Sequence, residues 1–244
     1  MKPGEFKLDG KLSSEYGTMI QSRPLMESPQ RRTQFKTAFG LSGEQPFDED
    51  AYDNTDLDLS LIVKGTTTRS ASYNREFVQH WFDSPVYLDF IPYFDESKIY
   101  KVMLREGMQF QSKYFLEEHL VVSAPLTVLP YKMHVVSPKT TLTTAGSITN
   151  PSFKHSLPLI KINGTGNITL TVNGKAFILQ SVAGHIWLDC EFKIGYTEAN
   201  GIKQNQNMKV KTMDYPFFKS GNNTISWTGT VTSVEIYPNW RSLV

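Results

Sequence analysis

The stretch from Leu157 to Lys193, LPLIKINGTGNITLTVNGKAFILQSVAGHIWLDCEFK, constrains the fold more tightly than any other part of the chain. At its centre, Asn173-Gly174 is a preferred dipeptide for a two-residue type I′ turn, because both central residues of that turn need a positive φ. Folding about it sets Val172 opposite Lys175, Leu170 opposite Phe177 and Ile168 opposite Leu179. These pairs share one face, and Thr169, Thr171, Ala176 and Ile178 take the other. A slip of one residue would turn the apolar set to the wrong side, so the register is specified. Around this hairpin the pattern reads as short separate strands, Leu159 to Ile162, Ile168 to Val172, Ala176 to Leu179 and Ile186 to Glu191, with Asn163-Gly164 as a turn. Thr224 to Trp227 and Val231 to Tyr237 add two more, with Ser220-Gly221 as a turn. Many short strands at close spacing indicate a β-sandwich.

The first half is mixed but mainly β. Phe6 to Leu8, Thr18 to Arg23 and Arg31 to Phe39 read as strands, the last closed by Gly40 and Gly43. Asp56 to Val63 alternates with Leu57, Leu59 and Leu61 inward and Asp56, Asp58 and Ser60 outward, the period of a half-buried strand. One helix is expected at about 72–82: Ser72 can cap it, and Tyr73, Phe77, Val78, Trp81 and Phe82 form a single stripe. Val86 to Ile91 and Lys98 to Leu104 read as a hairpin, and Leu120 to Leu129 as a strand in which Pro125 marks an edge or bulge. Two prolines and a Ser/Thr-rich tract after Leu129 place a boundary near Tyr131 to Ser137. The expected architecture is two β-sandwich domains, 1–133 with one added helix and a hairpin at about 86–104, and 134–244.

At 244 residues, with 39% hydrophobic and 12% aromatic residues, the chain has the composition of a globular protein with packed cores. A net charge of +1 favours neither nucleic acid nor an anionic membrane as partner. No apolar run is long enough to span a bilayer, and the opening MKPGEFKLDG lacks a signal-peptide core, so synthesis in a cytoplasm is expected. Cys190 is the single cysteine; it excludes an intrachain disulfide and fits a buried position on the face of Ile186 and Leu188.

The residues with chemical potential do not assemble into a reactive pattern. Asp189 and Glu191, two apart on an expected strand, would point the same way and could serve a glycoside hydrolase, although a solvated strand face explains them as well. Asp48, Glu49, Asp50, Asp53, Asp56 and Asp58 form the densest acidic group, but Tyr52 takes a ligand position and no glycine supplies the sharp turn of a calcium loop. A solvated loop leading into a strand is the simpler account. His80, His119, His134, His155 and His185 show no metal-ligand spacing, and no nucleophile elbow or phosphate loop is present. Arg31, Arg32 and Lys36 make a small basic patch suited to a solvated or subunit-facing strand. No catalytic, cofactor-binding or metal-binding residue is assigned. Trp187 shares a face with Asp189 and Glu191, and Tyr215, Phe217, Phe218, Trp227, Tyr237 and Trp240 crowd the C-terminal region, as core, sugar-stacking or subunit-contact residues.

The order of motifs along the chain carries a resemblance. An Arg-containing strand ending in Gly-x-x-Gly (Arg31 to Gly43) precedes Tyr52-Asp53-Asn54, the alternating strand, the helix, the hairpin and Pro130-Tyr131-Lys132. Ile160 to Leu170, Val172 to Gly174, Leu188 to Glu191, Tyr215-Pro216, Ser220 to Ile225, Trp227 to Gly229 and Tyr237 to Arg241 follow. The series resembles the distal tail proteins of siphophages that infect Gram-positive bacteria, along essentially the whole chain. The resemblance implies a non-enzymatic virion structural protein of the tail tip, made in the host cytoplasm, with a ring-forming N-terminal β-sandwich and a galectin-like C-terminal one. It implies self-association into a hexameric ring, single or stacked in pairs, between the tail tube protein and the tail-associated fibre/lysozyme protein. Receptor-binding proteins are further partners in some members. The galectin sugar site uses a His-x-Asn-x-Arg run, and none of His134, His155 or His185 begins one, so sugar binding is not implied. A ring subunit needs a strand edge or hairpin that pairs with its neighbour, and Val86 to Leu104 is the expected element. The rival function is a carbohydrate-binding module for host cell-wall glycans, built on the second domain.

Overall fold

The computed structural model describes residues 1–40, 42–65, 70–112 and 119–244. Leu41, between the two glycines of the expected Gly-x-x-Gly turn, lies outside the described residues. The fold is mainly β, built of antiparallel sheets, with one α-helix among the described residues. It packs as two compact units, 1–135 together with Leu243–Val244, and 136–242. The return of the last two residues to the first unit departs from the expected 134–244 span. The Val244 N–H donates to the Pro130 carbonyl (3.1 Å), and its side chain packs on the first core.

In the first unit, the strands are β1 (Phe6–Leu8), β2 (Lys11–Leu12), β3 (Thr18–Ile20), β4 (Arg31–Lys36), β5 (Gln45–Tyr52) and β6 (Thr55–Lys64). Helix α1 (Ala71–Phe82) follows, then β7 (Leu88–Pro92), β8 (Lys98–Leu104), β9 (Gln109–Ser112), β10 (His119–Val128) and β11 (Tyr131–His134). The main sheet runs β2-β1-β7-β8-β10-β6-β3, and β4-β5 form a separate two-stranded sheet. Strand β6 keeps the expected alternation: Leu57, Leu59, Leu61 and Val63 are buried while Asp56 and Asp58 are exposed. Each buried side chain of this size contributes about 1.5–3 kcal/mol. Pro125 does not mark an edge. Strand β10 is internal, and Pro125 falls in the gap between its pairing with β9, ending at Ser123↔Gln109, and with β8, beginning at Leu126↔Leu104. Its missing N–H therefore costs no ladder bond on that side.

The helix starts earlier than its composition suggests. The Ser70 side chain, rather than Ser72, accepts from the Tyr73 N–H (3.2 Å) and forms the N-cap. The inward face is Ala71, Asn74, Val78, Trp81 and Phe82, which leaves Tyr73 half exposed. Asn74, outside the expected stripe, is buried because its Nδ2 donates to the Lys64 carbonyl (2.7 Å). Trp81 stacks on Phe6 (5.6 Å) and donates its indole N–H to the Leu8 carbonyl (3.1 Å), tying the helix to β1.

The second unit contains β12 (Thr140–Leu142), β13 (Gly146–Asn150), β14 (Leu159–Val172), β15 (Lys175–Val182), β16 (His185–Asp189), β17 (Ile194–Ala199), β18 (Ile202–Asn205) and β19 (Gly221–Tyr237). The β14-β15 hairpin has the register read from the sequence, with Asn173 at φ 50° and Gly174 at φ 80°. The expected pairs of short strands are corrected: 159–172 is one continuous strand, 221–237 another, and Asn163-Gly164 is no turn. Both long strands carry register shifts and change partners along their length. The N-terminal half of β14 pairs with β16 and its C-terminal half with β15; β19 pairs with β13 and then with β12. Residues from both halves of both strands, Ile160, Ile162, Ile168, Leu170, Ile225, Val234 and Ile236, belong to one buried cluster. Two folded-over strands thus supply both layers around one core.

Gly164, expected in a turn, marks a crossing with Gly229 instead. A Cβ on Gly164 would collide with the Thr230 carbonyl oxygen and sit 3.1 Å from the Val231 Cα. A Cβ on Gly229, at φ 99°, would collide with the Asn167 carbonyl oxygen and sit 3.2 Å from the Ile168 Cα. Each long strand presents a glycine to the other's backbone where the ladder is interrupted. At Gly174, by contrast, the positive φ faces open space. Gly174→Ala should lower unfolding free energy by about 1–2 kcal/mol, the left-handed cost alone. Gly229→Ala adds overpacking of about 1–3 kcal/mol to a similar backbone cost. Urea unfolding midpoints of the two variants check the order.

Candidate assembly surfaces

The β4-β5 hairpin is a two-stranded sheet of its own, exposed along most of its length. Every residue of β4 is exposed except Thr33, and β5 is exposed as far as Asp50. Phe35 and Phe47 show 63% and 55% of their surface to solvent, and Phe39 is fully exposed. An isolated two-stranded sheet is marginal in water, so this one carries apolar surface without a core of its own to cover it.

The acidic group and the basic patch meet in this hairpin. Residues 48–50, expected in a loop, lie in β5 and pair with β4 through a bulge, where Asp50 has φ 51°. The Arg31 guanidinium is bidentate on Asp48, with Nε at 2.8 Å, and lies near the Tyr52 ring. Arg32 Nε donates to Asp53 (2.6 Å) and Gln34 to Glu49 (2.6 Å). Hydrogen bonding to Arg31 holds the Asp48 carboxyl below its ordinary range. Asp56 and Asp58 pair with Arg105. Arg31 and Arg32 are therefore paired within the hairpin, Lys36 lies over the Phe47 ring, and no metal-competent group of His, Cys, Asp or Glu occurs among the described residues. The pairing was invisible in the sequence because it depends on the bulged cross-strand register.

The Val86 to Leu104 element does not offer the expected edge. Its strands begin at Leu88, β7 pairs with β1 on one side and β8 on the other, and β8 pairs also with β10 and β11. It lies inside the sheet. Its turn instead anchors a polar network: Asp95 accepts from Tyr100 Oη (2.6 Å) and Lys132 Nζ (2.9 Å), while Lys98 Nζ meets His134 Nε2. Burial opposes ionisation of Asp95, but these hydrogen bonds outweigh it and hold the carboxyl below its ordinary value. Burial, then the neighbouring Lys98 charge, hold the His134 imidazole below its own.

In the second unit Asp189 and Glu191 do not share a strand face. Strand β16 ends at Asp189, whose Oδ1 accepts the N–H groups of Glu191 (3.1 Å) and Phe192 (3.2 Å) and so caps the turn that carries Glu191. Cys190 is buried, and burial pushes its thiol up. Phe218 and Trp240 are core residues in contact at 6.0 Å, whereas Phe217 is exposed beside His155. On the side of the sheet away from the core, the cross-strand row Glu235, Lys161, Trp187, Tyr196 places neighbours directly opposite one another. Trp187 and Tyr196 lie with centroids 6.0 Å apart and planes 5° apart, and Tyr237 stands 5.9 Å from Trp187. Sequence reasoning linked Trp187 to Asp189 but missed Tyr196 and Lys161, because their adjacency depends on strand order.

No family model matches the chain, and no curated protein matches it. Solved structures do. The Dit protein of SPP1, described as a paradigm of the hub adsorption apparatus in Gram-positive infecting phages, superposes with a TM-score of 0.68 at 16% identity, covering 96% of this chain and 98% of that one. A chain of the phage P2 baseplate in its activated conformation with Ca matches at a TM-score of 0.54 and 9% identity, covering 95% and 96%. The chain therefore shares the fold of phage hub and baseplate proteins over nearly its full length.

The polar network around Asp95 sets a pH dependence. The folded chain protonates His134 at lower pH than the unfolded chain, so stability falls as pH drops below about 6.5, the unfolded value, towards the folded one. Asp95 contributes stability above its unfolded value of about 3.9, and that is lost as pH falls through its lower folded value. His134→Gln should abolish the upper loss and leave the lower, as read by urea titrations between pH 7 and pH 3.

Proposed function

We propose that the chain is a distal tail protein, the structural hub of a siphophage tail tip or baseplate. The observation that carries this is the superposition on the SPP1 hub protein across both units, with neither chain leaving a sizeable part unmatched. In this reading the first unit forms a hexameric ring between the tail tube protein and the tail-associated fibre/lysozyme protein. The second unit, galectin-like in this reading, serves as a docking surface for receptor-binding proteins. The hub acts by holding partners rather than by chemistry, which accords with Arg31 and Arg32 of the hairpin being held by Asp48 and Asp53.

The ring contact falls on the β4-β5 hairpin. A subunit that closes a ring must hand each neighbour a surface that is costly to leave in water, and cyclic symmetry then covers every copy. The hairpin has exposed Phe35, Phe39 and Phe47, no further strand beside it among the described residues, and arginines paired to its own carboxylates, so apolar burial and backbone pairing are what it has to give. Size-exclusion chromatography with light scattering should show six subunits, or twelve for stacked rings. Replacing residues 33–48 by an Asn-Gly turn should yield a folded monomer, with the main-sheet unfolding transition retained. Persistence of rings in that variant would overturn the assignment to this hairpin, and a monomeric parent chain would overturn the hub reading.

A further inference from the structure

Three Asn-Gly pairs stand in the second unit, at 163–164, 173–174 and 200–201, and the fold holds each of them differently. We infer that Asn200-Gly201 is a self-modification site, where the chain deamidates to aspartate and isoaspartate with water as the only co-reactant, and that isoaspartate there releases strand β18. The inference goes beyond the hub reading and does not require it.

In this reaction the glycine backbone nitrogen attacks the side-chain carbonyl carbon of the preceding asparagine. The new N–Cγ bond closes a succinimide ring and the Cγ–Nδ2 bond breaks. The backbone amide proton departs with the side-chain nitrogen as ammonia. Water then adds to one of the two ring carbonyls and reopens the ring, leaving aspartate or isoaspartate. Glycine is the least obstructive residue at the attacking position, because it has no Cβ. All three pairs share that advantage, so the fold decides between them. The attack needs a glycine N–H outside the hydrogen-bond ladder, an asparagine amide free to turn, and a backbone that opens locally.

Asn163-Gly164 meets none of these needs. Gly164 is buried, and its N–H donates to the Gly184 carbonyl (2.8 Å). The Asn163 amide donates to Ser233 Oγ (2.9 Å) and Glu235 Oε1 (3.0 Å), and its backbone is paired on both sides, with His185 and Ser233. Asn173-Gly174 lies in an exposed turn, but the Asn173 amide is clamped at both ends. Its Nδ2 donates to Asn223 Oδ1 (2.8 Å), and its Oδ1 accepts the Thr224 N–H (3.1 Å). Asn223 is itself buried and fixed by donating to the Lys219 (2.9 Å) and Gly221 (2.8 Å) carbonyls.

Asn200-Gly201 has the same turn without the clamp. Asn200 has φ 53° and Gly201 φ 76°, close to the 50° and 80° of the other turn. Both residues are exposed, and the Asn200 amide has no hydrogen bond among the described residues. The ladder ends at Ala199↔Ile202, which leaves the Gly201 N–H outside it, and the space where a Gly201 Cβ would stand is open. The left-handed turn keeps this nitrogen from Cγ, so the rate follows the cost of local opening. That cost is low here. Strand β18 is the last of its sheet, pairs only with β17, and is exposed at all four residues. The strands meeting at Asn173 instead bury Leu170, Val172, Phe177 and Leu179. The far end of β18 is pinned, since the Gln206 N–H donates to the Gly195 carbonyl (2.7 Å), so opening is confined to the tip.

Isoaspartate carries the main chain through the former side-chain carbon. The lengthened link no longer fits a two-residue turn, and the Ala199↔Ile202 register is lost with it.

The test is incubation of the full chain at mildly alkaline pH, read by peptide mass spectrometry with isoaspartyl methyltransferase labelling. Asn200 should convert at least about tenfold faster than Asn163 or Asn173, the difference in local opening cost. In the chain unfolded by urea the three pairs should convert at similar rates, because each asparagine is followed by glycine. In the isoaspartate fraction, amide hydrogen exchange over Ile202–Asn205 should be faster than in the parent. Equal rates in the folded chain, faster conversion at Asn163 or Asn173, or a preference for Asn200 that persists in urea would overturn the site. Unchanged exchange in the isoaspartate fraction would overturn the release of β18.

Discussion

The second unit depends on the crossing of two long strands at Gly164 and Gly229. Each must fold over to serve both layers, and at the fold the two backbones approach too closely for a side chain on either. The close approach lets the halves of β14 and β19 close around Ile162, Ile168 and Val234. The outer face inherits its order from the same crossing. Glu235, Lys161 and Trp187 align only because β19, β14 and β16 are neighbours on one side of the fold.

What the sequence made legible follows the range of the interactions involved. The β14-β15 hairpin was readable to the residue because a two-residue turn and a period-2 pattern determine it locally. The alternation of β6 was equally plain. The long strands were misread as pairs because glycine marks both a turn and a close approach, and only the partner's position separates the two cases. Ser70 was overlooked as a cap because Ser72 stands nearer the apolar stripe, and the inward Asn74 was unforeseen because its partner is the Lys64 carbonyl.

The assembly surfaces were less legible still. The Val86 to Leu104 segment has the composition of an edge hairpin, but its place is settled by β1 and β10, far away in sequence. The charged strands β4 and β5 looked like separate basic and acidic features until register joined Arg31 to Asp48 and Arg32 to Asp53. Fold similarity at 16% identity shows the same thing from the other side: architecture persists where most residues differ.

The return of Leu243–Val244 to the first unit bears on the order in which the protein can be made. A chain emerging from the ribosome exposes residues 1–135 long before the segment that caps Pro130 exists. The whole of residues 136–242 must be synthesised in between. The first unit therefore receives the Val244 hydrogen bond only after residues 136–242 have been made.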